Sequence, residues 1–77
     1  MRSEAERRAD FLAMLADVLE TPNLAYGDDI RRTRLWGSLT AFAVKVTVAQ
    51  RCGRDLALGE IARCATAEEL YAKTFGP

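Results

Sequence analysis

The sequence of 77 residues contains no histidine and only two cysteines, Cys52 and Cys64. A structural zinc site needs about four nitrogen or sulfur ligands, so we expect no metal site. The two cysteines are not spaced as a Cys-x-x-Cys pair. One disulfide between them stays open as an alternative, but two buried, reduced thiols acting as small apolar side chains are favoured.

The chain also lacks net charge and long apolar runs. Lys and Arg number 11, Asp and Glu number 11, and the formal net charge is zero. Generic nucleic-acid binding needs net positive charge along a phosphate track, so we expect no nucleic-acid partner. No segment approaches the ~20 apolar residues of a membrane span, and the N-terminus lacks a signal-type apolar core. We therefore expect a cytoplasmic protein with no membrane partner.

What the sequence does contain is enough apolar material for one small domain. Hydrophobic residues make up 49% of the chain. A domain of this size buries a limited core and is only marginally stable. We expect a single domain over residues 1–77 and a monomer.

The first helix is predicted over residues 4–20. Ser3 and Glu6 have the spacing of a capping box, in which each side chain bonds the other residue's backbone N–H. An apolar stripe at three- and four-residue steps follows, and Pro22 ends the helix through its effect on Thr21. The stripe consists of Phe11, Leu12, Leu15, Val18 and Leu19.

Residues 21–37 show no clear period and are rich in turn-forming residues. A connection this long is unusual in a small domain, so it is either functional or hides an element that the pattern does not reveal. Several apolar side chains are available to hold it against the core: Leu24, Tyr26, Ile30, Leu35 and Trp36.

Three further helices are predicted after this connection. The second covers residues 38–51, with Ser38 as N-cap and Gly53 as C-terminal stop, although Lys45 to Val48 alternates as a strand would. A short third helix covers about residues 58–62. The fourth covers about residues 67–74 and begins with a second capping box formed by Thr66 and Glu69. The fold class predicted is all-α.

Three motifs occur in a fixed order along the last two thirds of the chain. Leu35-Trp36-Gly37-Ser38-Leu39 opens the second helix, Cys52-Gly53-Arg54-Asp55-Leu56 follows it, and Ala65-Thr66-Ala67-Glu68-Glu69-Leu70 opens the fourth. Thr66 lies 28 residues after Ser38. This arrangement resembles the acyl and peptidyl carrier protein family, in which a Leu-x-Asp-Ser-Leu motif opens the second helix and Thr-Val-x-Glu-Leu opens the fourth. The resemblance covers residues 11–71 without a gap between Ser38 and Leu70.

The resemblance implies a four-helix bundle of acyl-carrier-protein type, with a long loop between helices I and II and a short helix III. It implies that Ser38 carries covalent 4′-phosphopantetheine, whose thiol holds acyl, aminoacyl or polyketide intermediates as thioesters. The implied pathway class is specialised biosynthesis of polyketides, nonribosomal peptides or related compounds. The implied partners are a phosphopantetheinyl transferase, an acyl- or aminoacyl-loading enzyme and downstream synthase or transferase enzymes. A serine at a helix N-terminus also suits a phosphodiester physically. Because a carrier performs no bond chemistry itself, the resemblance implies no catalytic residue and no enzyme, and the absence of histidine and of an obvious triad agrees.

The resemblance further implies a partner-binding surface around Ser38. Its members are Trp36, Gly37, Leu39, Phe42 and Val46. Phe42 and Val46 are interpreted in two ways, as an exposed docking pair or as ordinary core residues. Val48 and Cys52 are expected to face inward, with Val44 partly buried beside them.

Two departures from the family pattern leave a second hypothesis open. Gly37 stands where carriers usually have an acidic residue or His, and the second helix has Lys45 and Arg51 but no acid. A degenerate carrier fold that acts as an unmodified protein-interaction module fits both features.

A basic cluster of Arg31, Arg32 and Arg34 precedes Ser38. The cluster is interpreted either as a solvated loop or as a positive field that steers coenzyme A phosphates or an acidic partner. Asp28 and Asp29 lie nearby and would weaken that field. Use of the cluster by a DNA-binding domain is disfavoured by the zero net charge.

Overall fold

Four α-helices form the described part of the chain, residues 2–76 of a computed structural model. They are α1 (Glu4–Val18), α2 (Ser38–Cys52), α3 (Leu58–Arg63) and α4 (Ala67–Phe75). No strand occurs among these residues, and the strand alternative for residues 45–48 is wrong. Helix α1 packs against α2 and α4, and α2 packs against α3. The predicted all-α class is therefore confirmed, as a small helical bundle.

Helix α1 begins with the predicted capping box. The Ser3 hydroxyl accepts from the Glu6 N–H at 3.2 Å, and the Glu6 carboxylate accepts from the Ser3 N–H at 3.4 Å. The helix ends two residues earlier than predicted because Glu20 adopts a positive φ of 50°. The Thr21 N–H then reaches back to the Ala16 carbonyl at 2.8 Å, as in a Schellman motif.

The long connection between α1 and α2 contains an element that the sequence pattern did not reveal. Residues Ile30–Arg32 form a 3-10 turn, and Ile30 is fully buried. The Ile30 N–H donates to the Ala65 carbonyl at 2.8 Å, and the Tyr26 carbonyl accepts from the Glu68 N–H at 3.1 Å. These bonds fasten the connection to the start of α4.

One apolar core unites the four helices and the connection. Its fully buried members include Leu15, Leu19, Ile30, Val44, Val48, Ile61 and Leu70. Val48 faces inward as predicted and Cys52 packs against the core half-buried, but the expectation that Val44 is only partly buried is wrong. Val44 is fully enclosed because it lies on the same helical face as Val48, one turn away.

The two cysteines are unpaired thiols, as favoured from the sequence. Cys64 is buried and its Sγ donates to the Glu60 carbonyl at 3.3 Å. Burial raises the pKa of both thiols, because it disfavours the thiolate. Both side chains therefore act mainly as small apolar groups.

The start of α4 differs in detail from the predicted capping box. The Thr66 hydroxyl accepts from the Glu69 N–H at 3.1 Å, as expected. The Glu69 carboxylate, however, accepts from the Ala65 N–H at 2.8 Å instead of from Thr66. The Ala65 carbonyl accepts from the Ile30 N–H, so both backbone polar groups of Ala65 are hydrogen-bonded.

We predict that Ile30 is a main determinant of stability. Replacing Ile30 with Val should lower the free energy of unfolding by about 0.5–1.5 kcal/mol, and replacing it with Ala by about 2–5 kcal/mol, because the deletion leaves a cavity. Urea unfolding followed by circular dichroism measures both values. Leu39→Ala is the matched control, since Leu39 is 86% exposed. An Ile30→Ala protein as stable as the Leu39→Ala protein would contradict this role.

Candidate functional site

Ser38 is the first residue of α2, and Gly37 occupies the N-cap position. The prediction that Ser38 itself caps the helix is therefore wrong. The Ser38 side chain is exposed, and among residues 2–76 its hydroxyl makes no hydrogen bond. The chain has one other serine, Ser3, whose hydroxyl bonds both the N–H and the carboxylate of Glu6. The two serines thus differ in that only Ser38 presents an unengaged hydroxyl.

Thr40 supplies the side-chain hydrogen bonds at the start of α2. Its hydroxyl accepts from the Gly37 N–H at 2.8 Å and donates to the Leu35 carbonyl at 2.7 Å. This pair of bonds closes the turn that precedes the helix. The sequence signal for it was a threonine three residues after the cap, the position at which a side chain reaches back to the cap N–H.

The backbone around Ser38 has the polarity of a helix start. The first helical bond at this end runs from the Ala41 N–H to the Gly37 carbonyl at 2.9 Å. The N–H groups of Ser38, Leu39 and Thr40 precede it and have no backbone partner among the described residues. Such N–H groups and the helix dipole give this end a partial positive charge.

Gly37 leaves room for a larger residue beside Ser38. Its backbone is extended, with φ of 179°, a conformation that any residue adopts. A Cβ placed on Gly37 would have no described atom within 4 Å. Neither the backbone nor packing therefore requires glycine at this position.

An exposed apolar strip continues from Ser38 along α2. Leu39 is 86% exposed, Phe42 53% and Val46 37%. The alternative that Phe42 and Val46 are ordinary core residues is wrong, because Ala41, Val44 and Val48 occupy the core side of the helix. Trp36 is half-buried and packs against the core, so it contributes to the fold as well as to the border of the strip.

Two of the basic residues on α2 and in the connection before it form ion pairs. The Arg31 guanidinium bonds both carboxylate oxygens of Asp29 at 3.0 Å, which lowers the pKa of Asp29. The Lys45 ammonium bonds the Asp55 carboxylate at 2.8 Å and the Leu56 carbonyl at 2.7 Å. Arg34 is exposed and forms no ion pair with the residues from 2 to 76. The predicted weakening of the basic cluster by Asp29 is thus confirmed for Arg31.

Asp28 acts differently from Asp29. Its carboxylate accepts from the Ala25 N–H at 2.8 Å and forms no ion pair with the described residues. It therefore stabilises a turn within the connection between α1 and α2.

Residues 2–76 hold no group of three or more His, Cys, Asp or Glu side chains arranged to bind a metal ion. None of the described helices combines the length and the apolar character needed to cross a membrane.

Comparison of the chain with models of known protein families, with curated proteins and with solved structures finds no match in any of the three.

We predict that Gly37→Asp is accepted by the fold. An aspartate at the N-cap offers an acceptor to the free N–H groups of α2, so unfolding should become harder by a few tenths of a kcal/mol. Gly37→Ala is the control, because alanine adds a Cβ without an acceptor. Thermal and urea unfolding compare the three proteins. A clear loss of stability in the aspartate variant would contradict the open geometry at Gly37.

We predict that Lys45 sets the titration of Asp55. The hydrogen bond from Lys45 and its charge lower the pKa of Asp55 from its ordinary value of 3.8. A lowered pKa in the folded state gives a stabilising contribution that is present above the unfolded value and is lost as the pH falls through the folded value. The contribution should therefore disappear in the acidic range below 3.8.

Lys45→Met removes the charge but keeps most of the side-chain stem. Carboxyl NMR titration should show the pKa of Asp55 returning toward its ordinary value in this variant. Urea unfolding at about pH 7 and about pH 2.5 should show a smaller difference between wild type and variant at the lower pH. Arg51→Gln is the control, since Arg51 lies on α2 but forms no bond with Asp55. An unchanged Asp55 titration in Lys45→Met would contradict the assignment.

Proposed function

We propose that this protein is a carrier that holds biosynthetic intermediates on a 4′-phosphopantetheine arm attached to Ser38. The observation that carries the proposal is the exposed, unbonded hydroxyl of Ser38 at the first position of α2. The order of the elements supports it: a long first helix, a long connection, a second long helix, a short third helix and a final helix. This is the layout of an acyl-carrier-type bundle, the finer fold assignment that we propose with the function.

The residues around Ser38 fit a covalently attached phosphodiester. The hydroxyl needs no local bond to be broken before it reacts, in contrast to that of Ser3. The free N–H groups of Leu39 and Thr40 lie at the positive end of α2, where an anionic phosphate is favoured. The open space at Gly37 leaves the approach to the hydroxyl unobstructed on that side.

The attachment itself would be performed by a phosphopantetheinyl transferase with coenzyme A. The Ser38 Oγ forms a bond to the phosphorus that bears pantetheine, the phosphoanhydride bond breaks, and adenosine 3′,5′-bisphosphate leaves. The hydroxyl proton passes to a base of the transferase. Once attached, the arm supplies a terminal thiol that carries acyl, aminoacyl or polyketide groups as thioesters. In this proposal the chain provides the attachment point and the recognition surface, and its partners provide the catalysis.

The recognition surface is the apolar strip beside Ser38. Leu39, Phe42 and Val46 are more exposed than apolar residues of a core, and burying them against a partner would be favourable. Helix α2 carries no acidic residue, so this surface offers a partner apolar contact without negative charge. The loading enzyme and the downstream synthase or transferase enzymes are the partners that such a surface would serve.

The proposal predicts modification of one serine. Incubation with coenzyme A and a broad-specificity phosphopantetheinyl transferase should add the mass of one phosphopantetheine, measured by intact-protein mass spectrometry. Ser38→Ala should gain no mass, because the attacking oxygen is gone. Ser3→Ala is the matched control and should be modified as the wild type is. Modification that persists in Ser38→Ala would show that the site is wrong.

A second candidate function is an unmodified interaction module with the same fold. Gly37 favours it, because the acidic side chain that a carrier usually presents to its transferase is missing. The same assay separates the two candidates when Gly37→Asp and Gly37→Ala are included. Modification of the wild type supports the carrier, while modification of Gly37→Asp alone supports the degenerate module.

A further inference from the structure

A cavity of about 290 Å³ lies at the end of the bundle away from Ser38. It is bordered by the start of α1, the C-terminal end of α2 and the end of α4. Ser38 and Arg51 are at opposite ends of α2, about 20 Å apart at the helical rise of about 1.5 Å per residue. The cavity is therefore separate from the site proposed above, and the inference drawn from it does not depend on that function.

The rim of the cavity is strongly positive. Three arginines line it, Arg2, Arg7 and Arg51, together with one acidic residue, Asp10. Arg2 forms an ion pair with Asp10. Arg7 and Arg51 are exposed, and neither forms an ion pair within residues 2–76. Two arginines that line the cavity thus have no acidic partner within the described chain.

The wall of the cavity is apolar. Phe11 and Met14 of α1, Cys52 of α2 and Phe75 of α4 line it. Phe11 and Phe75 contact each other edge to face, with ring centroids 5.9 Å apart. Arg7 precedes Phe11 by four residues and Met14 by seven, so one face of α1 supplies both the charge and the apolar wall.

We propose that this cavity binds a small amphiphilic carboxylate, with its head between Arg7 and Arg51 and its apolar body against Phe11, Met14 and Phe75. Arginine matches a carboxylate through paired N–H donors, and its weak hydration suits a site at an apolar border. Apolar walls with a few converging charged groups are typical of small-molecule sites. The volume of about 290 Å³ lies just below the range for drug-sized ligands, about 300–1,000 Å³, so the body is a short acyl chain or a single ring.

The probe that tests this site is octanoate, titrated into the ¹⁵N-labelled protein and followed by NMR. Saturable shifts should cluster at Arg7, Phe11, Arg51, Cys52 and Phe75. Octan-1-ol lacks the carboxylate that the arginines would bind, and acetate lacks the apolar chain that would pack against the wall. Each should therefore bind at least about tenfold more weakly than octanoate. Added salt should weaken octanoate binding through screening.

Two variants decide whether the arginines recognise the head group. Arg7→Gln/Arg51→Gln should weaken octanoate binding by roughly ten- to a hundredfold, the effect of losing charged hydrogen bonds. Arg63→Gln removes one exposed arginine from α3 and should leave binding unchanged. Equal binding by the double variant would overturn the proposal, as would shifts centred on Leu39, Phe42 and Val46, which indicate general apolar adsorption.

Discussion

Burial of apolar side chains in one shared core is the interaction on which every element of this fold depends. Helix α3 has six residues and α4 has nine, and helices this short are marginal in water by themselves. Each contributes a fully buried residue, Ile61 from α3 and Leu70 from α4, to the core that α1 and α2 also line. The connection between α1 and α2 also contributes a fully buried residue, Ile30, to this core. The backbone bond from Ile30 to Ala65 joins the connection to the segment just before α4. The loop is thus a structural member of the bundle.

The same core explains only the inward half of the apolar composition of α2. Ala41, Val44 and Val48 supply the inward face, while Leu39, Phe42 and Val46 place apolar side chains on the outward face as well. A helix that is apolar on both sides gains stability from one side only, so the outward side chains are not explained by folding. Their position beside an unengaged serine links them to the proposed attachment of an arm and the docking of its enzymes.

Whether a feature of this fold could be predicted from the sequence depends on how far apart the interacting residues are along the chain. The capping box of Ser3 and Glu6 uses two residues one turn apart, and the sequence predicted it correctly. The 3-10 turn at Ile30 was missed because it is held by Ala65, far along the chain, and no local period marks it. The bond of Glu69 to Ala65 instead of Thr66 was missed at the same place, where Ala65 also bonds Ile30. Local sequence patterns predicted hydrogen bonds between residues close in the chain. They did not predict bonds that depend on residues distant in the chain.

At the candidate site the sequence predicted the exposed residues but not the residue that caps α2. Ser38 and the strip were identified from motif order, but the cap was assigned to the wrong residue because serine is a better capping residue than glycine. Thr40 bonds the Gly37 N–H and the Leu35 carbonyl, which closes the turn before α2 but leaves the N–H groups of Ser38, Leu39 and Thr40 without a backbone partner among the described residues. A serine at the cap position would instead accept from one of these N–H groups. Glycine at the cap therefore leaves both the Ser38 hydroxyl and the N–H groups beside it unengaged in the described chain, which suits the proposed phosphodiester attachment, while the missing acidic side chain favours the unmodified module.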